Sequence, residues 1–216
     1  LNIGFFQAML FVAAYRLPGG VAAVVGAVQP LLVMGFAWGV DKLRPARTVL
    51  LAGAVGVAGM ALLLVAPGTV WDPLGVAAAL AGTLSMAAGT FWSRKWQTQL
   101  PVLAFTGWQL LLGGAMLLPV AWWADPPLPA LTGMNVLGYA YLCIAGALVA
   151  YALWFRGIAR LPSVAVASLG LLSPVAAVVL GWALLGQALA GWSLVGMCTV
   201  LVCIGVVQWS VSRPKR

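Results

Sequence analysis

The sequence predicts an all-α integral membrane protein, with eight transmembrane helices present of an expected ten, arranged as two inverted five-helix repeats. Three observations carry this prediction. The 216 residues are 64% hydrophobic and 6% charged, with mean hydropathy +1.09. Soluble domains carry about 25% charged residues, so 11 Lys/Arg and 3 Asp/Glu cannot clothe a soluble surface of this size. The apolar runs are continuous and near the roughly 20 residues that a spanning helix needs, where barrel strands would alternate over about ten. Finally, residues 16–38 match residues 160–182 without gaps.

The spans follow in order. Residues 1–15, 19–40, 47–66, 74–93, 102–123, 136–155, 163–186 and 190–210 are each predominantly apolar. Short polar punctuation separates them: Arg16-Leu17-Pro18-Gly19, Asp41-Lys42-Leu43-Arg44-Pro45, Pro67-Gly68, Arg94-Lys95, Asp125-Pro126-Pro127 and Arg160-Leu161-Pro162. Proline just beyond a helix end is a stop signal. With the spans alternating in direction, Lys42, Arg44, Arg47, Arg94, Lys95, Arg156, Arg160, Arg213, Lys215 and Arg216 fall on one side. Arg16 falls on the other, with Asp72 and Asp125. Basic residues collect on the cytoplasmic side, which predicts a cytoplasmic C-terminus in a multi-pass protein of the bacterial inner membrane. Trp71, Trp122, Trp123, Trp192 and Trp209 sit near span ends, as interfacial tryptophans do. Cys143, Cys198 and Cys203 lie inside apolar runs and read as small buried residues.

The internal match pairs Arg16-Leu17-Pro18 with Arg160-Leu161-Pro162, Ala23 with Ala167, Gly26 with Gly170, Pro30 with Pro174 and Trp38 with Trp182. The two Arg-Leu-Pro copies fall on opposite membrane sides, which makes the repeat an inverted one, a common plan of secondary transporters. Residues 1–66 then read as the remnant of a first repeat and residues 74–210 as the second. The repeat arithmetic expects about 70 further residues, roughly two and a half spans, ahead of Leu1, in a ten-helix protein with both ends cytoplasmic.

The candidate chemistry is polar but uncharged. Pro30 and Pro174 each follow a glycine, Gly26 and Gly170, four residues earlier. A mid-helix proline removes a backbone hydrogen bond and crowds the i−4 carbonyl. The functional reading is a pair of hinges that also contact ligand; the other is an ordinary proline kink. Gln29 and Ser173 are repeat mates beside these prolines, and Gln7 and Tyr151 are mates as well. With Ser85 and Gln109 they are the candidate substrate-binding residues, against the alternative of interhelical hydrogen bonds worth about 0.6–2 kcal/mol. Asn2, Thr90 and Trp108 are weaker candidates, and Ser85 and Thr90 can bond their own i−4 carbonyls. Trp92, Trp154 and Trp182 read as packing or interfacial residues, with walls of the cavity as the alternative. Gly35-x-x-x-Gly39, with Ala54 and Ala58, fits small-residue helix contacts.

The run LPSVAVASLGLLSPVAAVVLGWALLGQALAGWSLVGMCTVLVCIGVV (161–207) resembles the C-terminal half of EamA-type carriers of the drug/metabolite transporter superfamily. AFTGWQLLLGGAMLLPVA (104–121) and ALVAYALWFRGIARLP (147–162) are similar to its PecM-like branch. The resemblance implies ten helices in two inverted EamA repeats and export or exchange of small metabolites. One departure stands out: many relatives carry Gly-Glu where this chain has Gly186-Gln187.

These features sort the function classes. The basic groups lie in short loops between apolar runs, so they are topology signals, and no nucleic-acid partner is expected. With no His and no paired acids, no catalytic residue, metal ligand or cofactor is expected, and an intramembrane enzyme is disfavoured. The expected partners are a lipid bilayer and a small-molecule substrate; a homodimer stays open. The favoured function is a secondary transporter, as an exporter, of metabolites, amino acids or drug-like compounds, working by alternating access. The alternative is a non-transporting membrane scaffold or channel subunit. No Asp or Glu sits mid-span, so proton coupling through an intramembrane acid would need residues outside this chain. Arg16 and Arg156 lie near span ends, where they can snorkel or gate a polar substrate.

Overall fold

The computed structural model describes residues 2–65, 71–96, 99–124, 131–185 and 191–212. The Pro67-Gly68, Asp125-Pro126-Pro127 and Gly186-Gln187 punctuation lies outside them, as do Arg213, Lys215 and Arg216. The described chain is helical throughout, with no strand among the described residues. Its elements are α1 (Gly4–Arg16), α2 (Gly19–Gly26), α3 (Gln29–Asp41), α4 (Arg47–Leu64), α5 (Pro73–Trp96) and α6 (Val102–Ala124), then α7 (Gly133–Tyr141), α8 (Ala150–Arg160), α9 (Ser163–Leu169), α10 (Leu172–Leu185) and α11 (Trp192–Ser212).

Seven helical stretches among the described residues are long and apolar enough to cross a membrane: Gly19–Asp41, Arg47–Leu64, Pro73–Trp96, Val102–Trp123, Gly133–Arg160, Ser163–Leu184 and Trp192–Val211. The expected span 1–15 appears as α1, 13 residues ending at Arg16. The expected span 136–155 is longer at both ends. Thr132 caps its start by accepting the Asn135 N–H at 3.3 Å. Phe155 and Ile158 bury one side of its last turns while Arg156 and Arg160 stay exposed. Its middle, Leu142–Val149, winds as a π-helix between α7 and α8, which no apolar run announces.

Glycines set the closest helix contacts. Gly75, Gly82 and Gly89 recur every seven residues along α5 and seat α1. A Cβ at Gly75 would stand 2.7 Å from Leu17 Cγ, and one at Gly82 would stand 3.2 Å from Met9 Cβ. A Gly89 Cβ would collide with the Asn2 side chain. The α4–α11 contact is also close, backbone to backbone: a Cβ on Gly196 would lie 2.5 Å from both Gly59 O and Leu63 N. The Gly35-x-x-x-Gly39 pair plays no such part. Both glycines are exposed with nothing within 4 Å, and Ala54 and Ala58 are exposed too. Gly53, Gly56 and Gly59 carry the buried stripe of α4 instead. Of the cysteines, Cys203 is buried, but Cys143 and Cys198 face outward.

Helix α5 also orients the charges. At its start Asp72 accepts the Gly75 N–H at 2.7 Å, a proper N-cap, and lies 3.7 Å from Arg16 Nη1. At its far end Lys95 pairs with Asp41. Arg94 donates to the last carbonyls of α8, Ile158 O at 3.4 Å and Ala159 O. The 24 residues of α5 separate these two groups by about 36 Å at 1.5 Å per residue. The acid–base pairs thus mark opposite ends of the bundle, as the charge segregation requires.

Candidate functional site

Two of the membrane-crossing stretches are broken in the middle, at matching places. Helix α2 ends at Gly26 and α3 begins at Gln29; α9 ends at Leu169 and α10 begins at Leu172. Each short half enters through the same extended corner. Leu17 and Pro18 have φ/ψ of −118/145 and −54/139. Leu161 and Pro162 have −108/154 and −58/143. The covalent cause of each break is proline, which has no N–H to offer the carbonyl four residues back. At the first break Val28 N–H turns to Val25 O and Leu31 N–H to Val28 O, both i−3 bonds. At the second, the Gly170 carbonyl takes the Ser173 N–H at 3.2 Å in place of the missing Pro174 donor. Gln208 of α11 steadies α9 by donating to Ala165 O at 2.9 Å and Ser168 Oγ at 3.1 Å.

A cavity of about 790 Å³ lies between the two breaks. Gly26, Gln29, Gly170, Ser173 and Pro174 all line it. Helices α1 and α5 close its sides with Phe6, Leu10 and Ala14 and with Ala79, Thr83 and Met86, each set spaced to share one helical face. The cavity runs from the breaks toward the Asp72 end of α5, reaching Gly19, Gly20 and Leu64. Toward the Lys95 end the space between α3, α5 and α9 is filled. Val33, Ala87 and Ala167 pack together there. Phe36 stacks on Phe91 with centroids 5.9 Å apart, and Trp92 meets Phe91 at 5.3 Å and Trp96 at 5.5 Å. Lys95 Nζ lies over the Phe91 and Trp92 rings at 5.7 and 5.6 Å.

The remaining sequence candidates lie elsewhere. Pro30 is wholly buried at the start of α3 and does not reach the cavity wall. Gln7 is half-buried on α1 and does not line the cavity, although Phe11 one turn further on does. Ser85 is 6% exposed and does not line the cavity, although its neighbour Met86 does. Gln109 is half-buried on α6, which gives no residue to the cavity. Tyr151 packs into the cluster of Ile3, Phe155, Ile158 and Val166, stacked on Phe155 at 6.1 Å. Phe6, Phe11, Thr83 and Met86 line the cavity without having been singled out from the sequence; three are apolar and thus indistinguishable from lipid-facing residues by type. Only the shared break geometry points to them.

Among the described residues, no charged side chain lines the cavity. Arg16 is held by Asp72 instead, and Arg156 is exposed. Thr83 spends its hydroxyl hydrogen on Ala79 O at 2.7 Å. Several buried polar atoms have no hydrogen-bond partner among the described residues: Gln29 Nε2, Trp154 Nε1, Thr90 Oγ1 and both amide atoms of Asn2.

Comparison with known proteins gives the chain a family and a shared fold. A family model, the EamA-like transporter family, matches residues 73–209. Protein PecM of Dickeya dadantii is 41% identical over 187 residues, 86% of this chain and 63% of that protein. The uncharacterized transporter YdeK of Bacillus subtilis is 27% identical over 178 residues, 82% of this chain and 61% of that protein. The uncharacterized inner membrane transporter YedA of Escherichia coli K12 is 30% identical over 181 residues, 82% of this chain and 58% of that protein. The chain thus spans about three-fifths of the length of these curated relatives. A solved crystal structure shares the fold with a TM-score of 0.81 at 21% identity, covering 94% of this chain and 73% of that one.

Proposed function

We propose that this chain, which belongs to the EamA-like transporter family, is the core of a secondary transporter that exports small metabolites, amino acids or drug-like compounds across a bacterial inner membrane. One observation carries the reading: a cavity of about 790 Å³ bounded by both broken helices at once. Irregular backbone at membrane depth is tolerated where it lines a cavity, and paired broken helices are the substrate-binding device of many transporters. The two inverted repeats, residues 1–66 and 74–210, meet at that cavity, and one rocks against the other about Gly26-Pro30 and Gly170-Pro174.

The filled Lys95 end and the cavity's reach toward Asp72 support an outward-open state, with the basic end and the C-terminus in the cytoplasm. Opening inward then requires Lys95 to leave Asp41 and Arg94 to leave the end of α8.

The experiment is counterflow in proteoliposomes holding the full-length protein, with a labelled panel of amino acids and drug-like compounds. Saturable uptake accelerated by unlabelled compound on the far side is expected. It should be lost when Ala177→Trp fills the cavity and kept in Gln109→Ala. Flux that is linear in concentration, or that survives Ala177→Trp, contradicts the reading.

A further inference from the structure

The polar part of the cavity lining consists of Gln29, Thr83 and Ser173 among otherwise apolar side chains. Which of their atoms face the hollow decides what it can hold. The Gln29 amide is presented by one edge: Nε2 is enclosed, while Oε1 stays accessible and has no hydrogen-bond partner among the described residues. That oxygen borders the opposite break, 3.9 Å from where a Gly170 Cβ would stand. Thr83 has given its hydroxyl hydrogen to Ala79 O at 2.7 Å, so toward the cavity it too offers only lone pairs. Ser173, one turn beyond Gly170 on the second broken stretch, carries a hydroxyl that can both donate and accept. The described side chains of the lining therefore present more acceptors than donors. None of them is charged, and an ion taken from water into such a place without a counter-charge is strongly disfavoured. An occupant matched to this surface is uncharged and brings its own donor.

We infer that Gln29 Oε1 is the specificity-determining acceptor of the cavity, which takes an uncharged, largely apolar molecule bearing a hydroxyl group. The hydroxyl donates to Gln29 Oε1 at the Gly170 break and accepts from Ser173 Oγ, and the apolar body lies against Phe6, Leu10, Met86 and Val178. This inference rests on the reading of the cavity as the substrate site and narrows the compounds that site would carry.

The test is equilibrium binding of four tritiated probes that share one ring, benzyl alcohol, benzyl methyl ether, benzylammonium and benzoate, to the full-length protein in lipid nanodiscs. Only the part displaced by excess unlabelled probe counts as binding. Benzyl alcohol is expected to bind about three- to tenfold more tightly than its ether, the worth of one neutral hydrogen bond, and more tightly than either ion. Gln29→Leu should bring alcohol and ether to equal affinity while leaving the ether as in the wild type; a merely structural role for Gln29 would weaken both together. Gln29→Glu, which keeps the acceptor and adds a negative charge, should turn the preference toward benzylammonium. Filling the hollow with Ala177→Trp should remove the displaceable binding of all four. Equal affinity of alcohol and ether in the wild type, no displaceable binding, or an alcohol–ether ratio unchanged by Gln29→Leu overturns the inference. Should Gln29→Leu not fold, Gln29→Glu decides, and an unmoved preference there overturns it as well. Counterflow that persists while the alcohol–ether preference is missing removes the acceptor assignment alone; absent counterflow with that preference intact removes the carrier reading alone.

Discussion

Arg94 shows how a single side chain serves the fold at the membrane edge. It reaches from the end of α5 to the last carbonyls of α8, where a helix leaves acceptors without intrahelical donors and carries partial negative charge. Arg94→Ala should lower thermal stability in detergent by about 1 kcal/mol, and Arg94→Lys should restore part of it. Equal melting of wild type and Arg94→Ala would show the contact to be idle. The basic residue at this place was legible as a topology signal, but its partner was not, because the contact joins residues 64 apart in the chain. Gln208 is similar. Nothing about a glutamine near the end of an apolar run says that it will hold α9. Its own helix gives the position, and only the packing of α11 gives the acceptors.

At the scale of helices, the glycines explain both a success and a failure of sequence reasoning. Helix ends were readable from proline and charge: α1 stops before Leu17-Pro18, and α3 stops at Asp41, where Lys42 turns the chain with φ 56. Small-residue packing was readable only as a tendency. Gly35-x-x-x-Gly39 and the Gly75, Gly82, Gly89 series look equally suited to close contact, yet only the second meets a partner. Spacing fixes which residues share a face, and the neighbour decides which face is used. Gly82→Leu should therefore destabilise the protein by about 1–3 kcal/mol through overpacking against Met9, while Gly39→Leu, with open space around it, should change stability by less than about 0.5 kcal/mol. Chemical unfolding in mixed micelles reads both; similar losses in the two would contradict this assignment. The breaks make a second prediction at this scale. Pro174→Ala returns an N–H to the Gly170 carbonyl and favours a continuous helix, so it should slow counterflow while leaving stability equal or higher. Faster flux with lower stability would mean that the proline holds no break.

For the whole molecule, the apolar composition and the recurrence of Arg-Leu-Pro, Gly and Pro were enough to place two matching breaks in a helical membrane bundle. What they could not place was the depth and direction of the hollow between them. That depends on which faces of α1 and α5 turn inward, and apolar faces toward lipid and toward a cavity have the same composition. It also depends on the aromatic packing of Phe36, Phe91 and Trp92, which fills one end and leaves the other open. The central claim is that water and substrate reach both breaks from the Asp72 end. Replacing Cys143, Cys198 and Cys203 and then introducing Gly26→Cys or Ser173→Cys allows a direct measurement with a membrane-impermeant thiol reagent applied from each side in turn. Both single-cysteine proteins should react from the Asp72 side, react far more slowly from the Lys95 side, and be protected by a transported compound. Two inert thiols, or labelling from the Lys95 side alone, would contradict the account.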